Sequence, residues 1–221
     1  MTTYTIHTQC QGEQQIIIRK PPFEKIGLFI SGGLDSSLLL ELYVREQVNV
    51  TPYHIDRGEP LEYDAAMRVV EKINEIHNLD LTLEKIQIPL DPEGNGDLIK
   101  GKEILADKVE CMIVGDNMRP PSDVTTVTRT TIPWRLPVSQ QFDYPDWELP
   151  FLHVDKSYLV KLILDLRCEW IFDLSRSCAE YYINYEDELI NQGKLRCETC
   201  FNCKERAWAF QSVGIADPGL E

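Results

Sequence analysis

The stretch that decides the fold is IGLFISGGLDSSLLLELYVRE, residues 26–46. Its first five residues, 26–30, form a short apolar run of the kind found in buried parallel strands. Two adjacent glycines follow, and residues 38–46 have the pattern of a helix. A glycine-rich turn between a strand and a helix brings backbone N–H groups close to a ligand, and the helix N-terminus adds partial positive charge. The stretch therefore predicts a strand–loop–helix unit that cradles phosphate.

Strand and helix patterns alternate along the rest of the chain. Predicted strands cover residues 48–55, 81–88 and 111–115, and predicted helices cover 63–77, 97–108 and 156–166. Residues 3–19 alternate apolar and polar side chains, as in a strand pair or an irregular arm. This alternation predicts an α/β fold with a doubly wound parallel sheet, whose ligands bind at the carboxyl ends of the strands. We predict an ATP-binding α/β domain over residues 1–167 and a small C-terminal helical module over 168–221.

The loop contains groups suited to a nucleotide polyphosphate. Serine hydroxyls offer hydrogen-bond donors, and Asp35 places a carboxylate among them, where it usually holds a bridging Mg²⁺. The Gly-Lys-Ser/Thr ending of a Walker motif is absent from the sequence. The alternative is a glycine-rich turn that only starts a helix, with Asp35 or Ser36 as the cap. The predicted ATP-binding residues of the loop are Ser31, Gly32, Gly33, Leu34, Asp35, Ser36 and Ser37.

Further candidate residues lie where predicted strands end or helices begin. Asp56 ends the second strand, and Gly115 and Asp116 end a later one, so they are predicted to face the nucleotide. Lys156 opens a helix, where a cation opposes the usual preference for acidic residues and indicates contact with a ligand. Arg119 is a candidate clamp for a phosphate or a substrate carboxylate. Asp35, Lys156 and Arg119 are the predicted catalytic residues; the alternatives are a turn residue at Asp56 and exposed cations at Lys156 and Arg119.

Four of the seven cysteines form a candidate metal site. Cys197, Cys200 and Cys203 are closely spaced, and Cys178 lies upstream of them. Four thiolates suit a closed tetrahedral zinc site, which has no open position for chemistry and is therefore structural. The alternative is an iron–sulfur cluster, which also uses four cysteines.

The charge of the chain bears on its partners. With 22 Lys+Arg against 36 Asp+Glu, the net charge is −14, which argues against nucleic acid as the main ligand because such binding depends on neutralising phosphates. The sequence has no apolar run long enough for a membrane span and no signal pattern at its N-terminus. We therefore expect a cytoplasmic protein.

Residues 116–150 are rich in proline and lack a helical period. Loops of this length in compact domains are usually functional lids or disordered inserts. Because the segment begins at the ligand-binding rim and ends just before Lys156, we predict that it is a lid over the acceptor substrate, with Arg119, Arg129 and Arg135 as its cations. The alternative is a surface excursion used for dimer contacts.

Three features together resemble the 7-cyano-7-deazaguanine synthase family of the PP-loop ATP pyrophosphatase superfamily. They are SGGLDSS at residues 31–37, LPFLHVDK at 149–156, and a tail with Ser177-Cys178, CETCFNCKERAWAF at 197–210 and GIADP at 214–218. The resemblance implies ATP on the loop with Mg²⁺, Zn²⁺ on the four cysteines, and a homodimer. It also implies conversion of 7-carboxy-7-deazaguanine and ammonia to 7-cyano-7-deazaguanine, a queuosine precursor, through adenylated intermediates.

Two stretches depart from the usual sequence of that family. They are DRGE at residues 56–59 and DNMRPPSD at 116–123, and in the family the second stretch helps to hold the deazaguanine. Alternative functions are therefore a PP-loop ligase that adenylates another carboxylate or carbonyl substrate, a tRNA-thiolating PP-loop enzyme, and a non-catalytic nucleotide sensor. If the protein is a ligase, its partners are a small-molecule acid and ammonia.

Overall fold

A parallel sheet forms the centre of the protein in the computed structural model, which describes residues 1–8, 12–56, 60–88, 97–118, 120, 146–178, 198 and 200–218. The strands are β1 (Thr2–Thr8), β2 (Gly12–Ile18), β3 (Ile26–Phe29), β4 (Thr51–Asp56), β5 (Glu84–Gln87), β6 (Cys111–Ile113) and β7 (Trp147–Glu148). The helices are α1 (Leu34–Arg45), α2 (Pro60–His77), α3 (Asp97–Ile104), α4 (Lys156–Asp165), α5 (Trp170–Leu174) and α6 (Phe201–Ser212).

The strand order of the sheet is β5-β4-β3-β6-β7, and all neighbouring strands are parallel. The order reverses between β3 and β6. In sheets of this kind, ligands bind at that reversal, in the crevice outside the carboxyl ends of the strands. The predicted doubly wound α/β fold is confirmed, and the predicted phosphate loop follows β3 on one side of the crevice.

The sequence does not predict β7, which lies inside the segment assigned to a lid. Met112 and Ile113 of β6 pair in parallel with Trp147 and Glu148. A two-residue strand is too short to produce a periodic pattern, so its pairing with β6 is visible only in three dimensions. The carboxyl-terminal end of residues 116–150 therefore belongs to the sheet, while residues 121–145 lie outside the described residues.

Successive residues of a strand point to opposite faces of the sheet, and both faces of this sheet are buried. Leu28 and Ile113 belong to a large core on one face, which also receives side chains from α1, α2, α4, α5 and α6. Phe29 and Met112 point the other way, into a smaller core that includes Leu105 just after α3. All four residues of β3 are buried, as expected for the central strand of a parallel sheet.

The N-terminal residues form a hairpin apart from the main sheet. β1 and β2 pair antiparallel, with Thr2 opposite Ile18 and Thr8 opposite Gly12. Ile6 and Ile16 are fully buried and belong to the large core. The prediction of a strand pair over residues 3–19 is therefore correct, and the hairpin covers one edge of that core.

The described C-terminal helices share the large core with the sheet. Phe172 of α5 and Phe210 of α6 meet edge to face, with ring centroids 4.7 Å apart. Ile171 and Ala209 are fully buried in the same core. The division of the chain at residue 168 stays a prediction. No helix in the described part of the chain combines the length and apolar character that a membrane span requires.

Candidate active site and cysteine cluster

The loop after β3 has a backbone that only glycine can adopt. Gly32 has a φ of +73°, and a Cβ there would lie 2.6 Å from the backbone N of Ala66 and 2.8 Å from the carbonyl O of Glu62. The loop is therefore pressed against the first half of α2 and cannot accept a side chain. Helix α1 begins at Leu34, earlier than the predicted start at residue 38, because Gly33 serves as its N-cap.

Serine hydroxyls hold the loop in shape. Ser36 Oγ donates to the carbonyl O of Gly33 at 3.2 Å and accepts from the backbone N–H of Ser31 at 3.2 Å. Ser37 Oγ donates to the same carbonyl at 2.7 Å and is fully buried. Leu34 is also fully buried in the large core, so only its backbone can reach a ligand. Ser31, by contrast, is partly exposed at the mouth of the loop.

The end of β6 packs directly against the N-terminus of α1. A Cβ at Gly115 would lie 3.1 Å from both the carbonyl C of Asp35 and the backbone N of Ser36. Asp116 follows and is half-buried. Met118 then donates its backbone N–H to the carbonyl O of Val154 at 2.8 Å, just before α4. The structure thus places Gly115 against the phosphate loop, with Asp116 next to it in the chain, and their contact with a nucleotide stays a prediction.

A buried charge cluster of Asp35, Lys156 and Glu205 occupies this junction. The Nζ of Lys156 lies 3.1 Å from Asp35 Oδ2 and 2.8 Å from Glu205 Oε2. The side chains of Lys156 and Glu205 are 5% and 2% exposed, whereas that of Asp35 is 23% exposed. Burial acts to lower the pKa of Lys156, but the two carboxylates outweigh it and hold that pKa above its usual value. Lys156 is therefore an ammonium ion at neutral pH.

Helix α4 delivers Lys156 to the cluster. Asp155 caps the helix by accepting a hydrogen bond from the backbone N–H of Ser157 at 2.9 Å. This cap makes Lys156 the first residue of α4, where the helix dipole disfavours a cation. The sequence-based prediction that Lys156 opens a helix is confirmed, and the carboxylates of the cluster offset the unfavourable position.

Sequence reasoning missed Glu205. It lies in α6, shortly after Cys203, and its surroundings in the sequence resemble an exposed helical surface. Its burial depends on the packing of α6 against α4, which no local pattern reveals. The signal in the sequence was its position between the last cysteine of the candidate metal site and Arg206. In the structure, Arg206 is also fully buried.

Asp56 lies at the carboxyl end of β4, on the same edge of the sheet as the phosphate loop. Its Oδ2 is 2.9 Å from the Nζ of Lys85 on β5, and Lys85 also lies 4.5 Å from the ring centroid of Tyr63. Contact between Asp56 and a nucleotide stays a prediction. Three further predicted cations, Arg119, Arg129 and Arg135, lie outside the described residues.

Three cysteines meet behind the phosphate loop. The Sγ atoms of Cys178, Cys200 and Cys203 all lie within 4.8 Å of one another and are buried. Cys200 Sγ also caps α6 by accepting from the backbone N–H of Cys203 at 3.4 Å. Closely grouped, buried thiols fit a soft metal ion such as Zn²⁺, so these three residues can hold a metal. The fourth predicted ligand, Cys197, lies outside the described residues.

Hydrogen bonds connect the segment just before Cys178 to the phosphate loop and to Arg206 of α6. Arg206 donates from Nε to Asp217 at 2.9 Å and from Nη1 to the carbonyl O of Ser175 at 3.1 Å. The next residue, Arg176, donates its backbone N–H to the carbonyl O of Gly32 at 2.8 Å. Cys178 follows two residues later. The segment that provides one thiol therefore also supports the loop.

Comparisons with known proteins identify no family for the chain. No protein-family model and no curated protein matches it. Among solved structures, the chain is similar to NMN synthetase from Francisella tularensis, with 14% sequence identity, a TM-score of 0.46, and coverage of 85% of this chain and 84% of that one. At this level of similarity, the likeness does not identify an activity.

Proposed function

We propose that the protein is a Mg-ATP-dependent enzyme of the PP-loop ATP pyrophosphatase superfamily, which adenylates an oxygen of its substrate. The main support is the charge cluster at the switch point, where Asp35 of the phosphate loop lies 3.1 Å from the buried Lys156 ammonium. A loop that only started a helix would need neither group. A site for polyphosphate and Mg²⁺ needs both a cation for the phosphates and a carboxylate for the metal.

Different residues of the site bind the phosphates, hold Mg²⁺ and stabilise negative charge in this proposal. The N-terminus of α1 offers backbone N–H groups to the phosphates, since its N-cap, Gly33, provides no side-chain hydrogen bond to occupy them. Asp35 is the carboxylate that would hold Mg²⁺, which when bound neutralises phosphate charge. Lys156 stabilises the negative charge that develops as pyrophosphate leaves, and it does so from a buried position where electrostatic effects are strong.

The sequence resemblance favours a particular substrate within this class. We propose 7-carboxy-7-deazaguanine and ammonia, with 7-cyano-7-deazaguanine as the product. The carboxylate oxygen attacks the α-phosphorus of ATP, pyrophosphate leaves, and ammonia then displaces AMP to give the amide. A second ATP adenylates the amide oxygen, and loss of AMP with two protons forms the nitrile. Arg119 and residues 121–145 are proposed to hold the acceptor, and Zn²⁺ on Cys178, Cys197, Cys200 and Cys203 is proposed to be structural.

A pyrophosphate-release screen tests the proposal. The protein is incubated with Mg-ATP, ammonia and each of a panel of acids that includes 7-carboxy-7-deazaguanine, and AMP and product mass are followed in parallel. We expect pyrophosphate and AMP with one acid, and a product of the mass of the amide or nitrile. Release of ADP and phosphate, or no turnover with any acid, would contradict the proposal. Iron with sulfide instead of zinc in the purified protein would favour a cluster-bearing thiolating enzyme.

A further inference from the structure

One carboxylate of the charge cluster has no part in the function proposed above. Glu205 is 1% exposed, and its Oε2 is closer to the Lys156 ammonium than Asp35 is, at 2.8 Å against 3.1 Å. We propose that Glu205 is a positioning residue, which keeps the Lys156 ammonium at the phosphate loop when Asp35 engages Mg²⁺. The inference rests on the proposed function, because it assigns Lys156 to the phosphates of ATP.

Lys156 needs a fixed partner because the dipole of its own helix disfavours a cation at this position. As the first residue of α4, it lies at the positive end of the helix dipole, and it is 4% exposed. A lysine side chain is also a flexible stem with a point charge at its end. Its position must therefore come from neighbouring carboxylates, which here are Asp35 and Glu205.

Asp35 cannot provide that fixed position throughout a reaction cycle. Its side chain is 23% exposed and lies in the loop, and in the proposed function it becomes a Mg²⁺ ligand. With a divalent cation bound, Asp35 would hold the ammonium of Lys156 less strongly, because the two positive charges would repel each other. The side chain of Glu205 is 2% exposed and belongs to α6 rather than to the phosphate loop, so its contact with Lys156 persists.

The backbone of Glu205 is held on both sides along α6. Cys200 caps the helix through the N–H of Cys203, and Arg206 is fully buried in hydrogen bonds to Asp217 and Ser175. A carboxylate on such a rigid helix can fix the position of a flexible lysine because the carboxylate itself does not move when the lysine does. In addition, Glu205 Oε1 is buried and has no hydrogen-bond partner among the described residues, so it can accept from the ammonium as it reorients.

The charge balance of the cluster predicts the effect of neutralising Glu205. Two carboxylates and one ammonium give the cluster a net charge of −1. Without the charge of Glu205, Asp35 and Lys156 form a neutral pair that competes with Mg²⁺ and draws the ammonium from the phosphates. The loss should therefore appear in the chemical step, since the backbone N–H groups that bind ATP remain in place.

The test compares Glu205→Gln with Glu41→Gln, a matched variant that neutralises a fully buried carboxylate lower on α1. Competitive acetylation with mass spectrometry, carried out on protein without nucleotide, measures the reactivity of Lys156. We expect a rise of roughly 10-fold in Glu205→Gln, because the amine loses a carboxylate that holds it in place and raises its pKa. Glu41→Gln should leave the labelling of Lys156 unchanged.

Pyrophosphate release gives the second readout. In Glu205→Gln we expect kcat to fall about 10- to 100-fold, with a much smaller change in the KM for ATP and unchanged metal content. Because Glu205 acts through Lys156, the double variant Lys156→Gln/Glu205→Gln should be no slower than Lys156→Gln alone. Should Glu205→Gln fail to fold, Glu205→Asp keeps the charge but shortens its reach, and a smaller rise in labelling with a smaller fall in kcat is expected.

Three results would overturn the inference. Unchanged labelling and kcat in Glu205→Gln, or losses that add to those of Lys156→Gln, would remove Glu205 from the mechanism and leave the proposed function intact. Equal losses of kcat in Glu205→Gln and Glu41→Gln would show an effect of stability alone. If the wild-type protein neither binds Mg-ATP by calorimetry nor releases pyrophosphate, the proposed function fails and the inference fails with it.

Discussion

Helix α1 carries a buried carboxylate cluster near each end, and the two differ in how completely their charges are satisfied. Toward the C-terminal end, Glu41 is fully buried, and both of its oxygens are engaged, Oε1 by Arg45 at 2.6 Å and Oε2 by His77 at 3.0 Å. At the N-terminal end, Asp35 and Glu205 both pair with the ammonium of Lys156, and Glu205 Oε1 has no hydrogen-bond partner among the described residues. About 9 Å of helix rise separates residues 35 and 41.

We interpret the difference as that between a structural cluster and the proposed functional one. In the Glu41 cluster, each carboxylate oxygen has its own nitrogen partner, and Arg45 is further tied to the carbonyl O of Leu166 at 3.2 Å. In the Asp35 cluster, negative charge exceeds positive charge, in a crevice where parallel sheets bind ligands. Excess charge at such a site costs stability, and a bound cation would compensate for it.

The largest expected effect comes from breaking the Asp35 cluster. Asp35→Asn keeps the size of the side chain but removes its charge, so we expect pyrophosphate release to fall by at least about 100-fold. The melting temperature should stay close to that of the wild type, because Lys156 retains its contact with Glu205 at 2.8 Å. Steady-state kinetics and thermal unfolding measure the two effects. Activity near the wild-type level would remove Asp35 from the mechanism.

The next effect is expected from the candidate metal site, which lies at the start of the helix that carries Glu205. Cys200→Ser removes one thiol and the Sγ cap of α6, the helix that carries Glu205. We expect loss of the bound metal and a lower melting temperature, since binding to structural zinc sites is coupled to folding. Elemental analysis and calorimetry provide the measurements, with the buried Cys168, which lies outside the cluster, mutated to Ser as the control. Full metal content in Cys200→Ser would contradict the assignment.

The sequence predicts the two members of the Asp35 cluster that have a local sequence signal, Asp35 and Lys156. SGGLDSS between a strand and a helix indicates the loop and Asp35, and the unusual cation at a helix start indicates Lys156. The parallel sheet follows from alternating strand and helix patterns. In each case, the signal lies within a few consecutive residues.

The sequence does not predict the third member, because its position depends on long-range packing. Glu205 meets Lys156 only when α6 packs beside α4, and β7 exists only through its pairing with β6. The sequence pattern also starts α1 too late, at residue 38, because glycines and serines are typical of loops, whereas the helix begins at Leu34 within that motif. Separation along the chain, rather than the type of residue, explains most of the difference between what the sequence predicts and what it misses.

The smallest effect on catalysis is expected from Glu41→Gln. This variant directly tests the comparison between the Glu41 and Asp35 clusters. Glu41→Gln leaves the amide with one acceptor oxygen and turns its N–H₂ toward one of the former partners of the carboxylate, Arg45 or His77. Because Arg45 is 32% exposed, water can compensate in part. We expect the free energy of unfolding in urea to fall by about 1–3 kcal/mol.

Catalysis by Glu41→Gln should nevertheless stay within about twofold of the wild type, since surface and core changes remote from a site act on stability and not on the transition state. The folded fraction is measured by circular dichroism at the assay temperature, so that kcat refers to folded protein. A matched loss of stability can be imposed on the wild type with urea, which separates instability from chemistry. If Glu41→Gln lost as much kcat as Glu205→Gln under these conditions, the two clusters would be equivalent for catalysis. The degree to which carboxylate charge is paired would then not distinguish the functional end of α1 from the structural end.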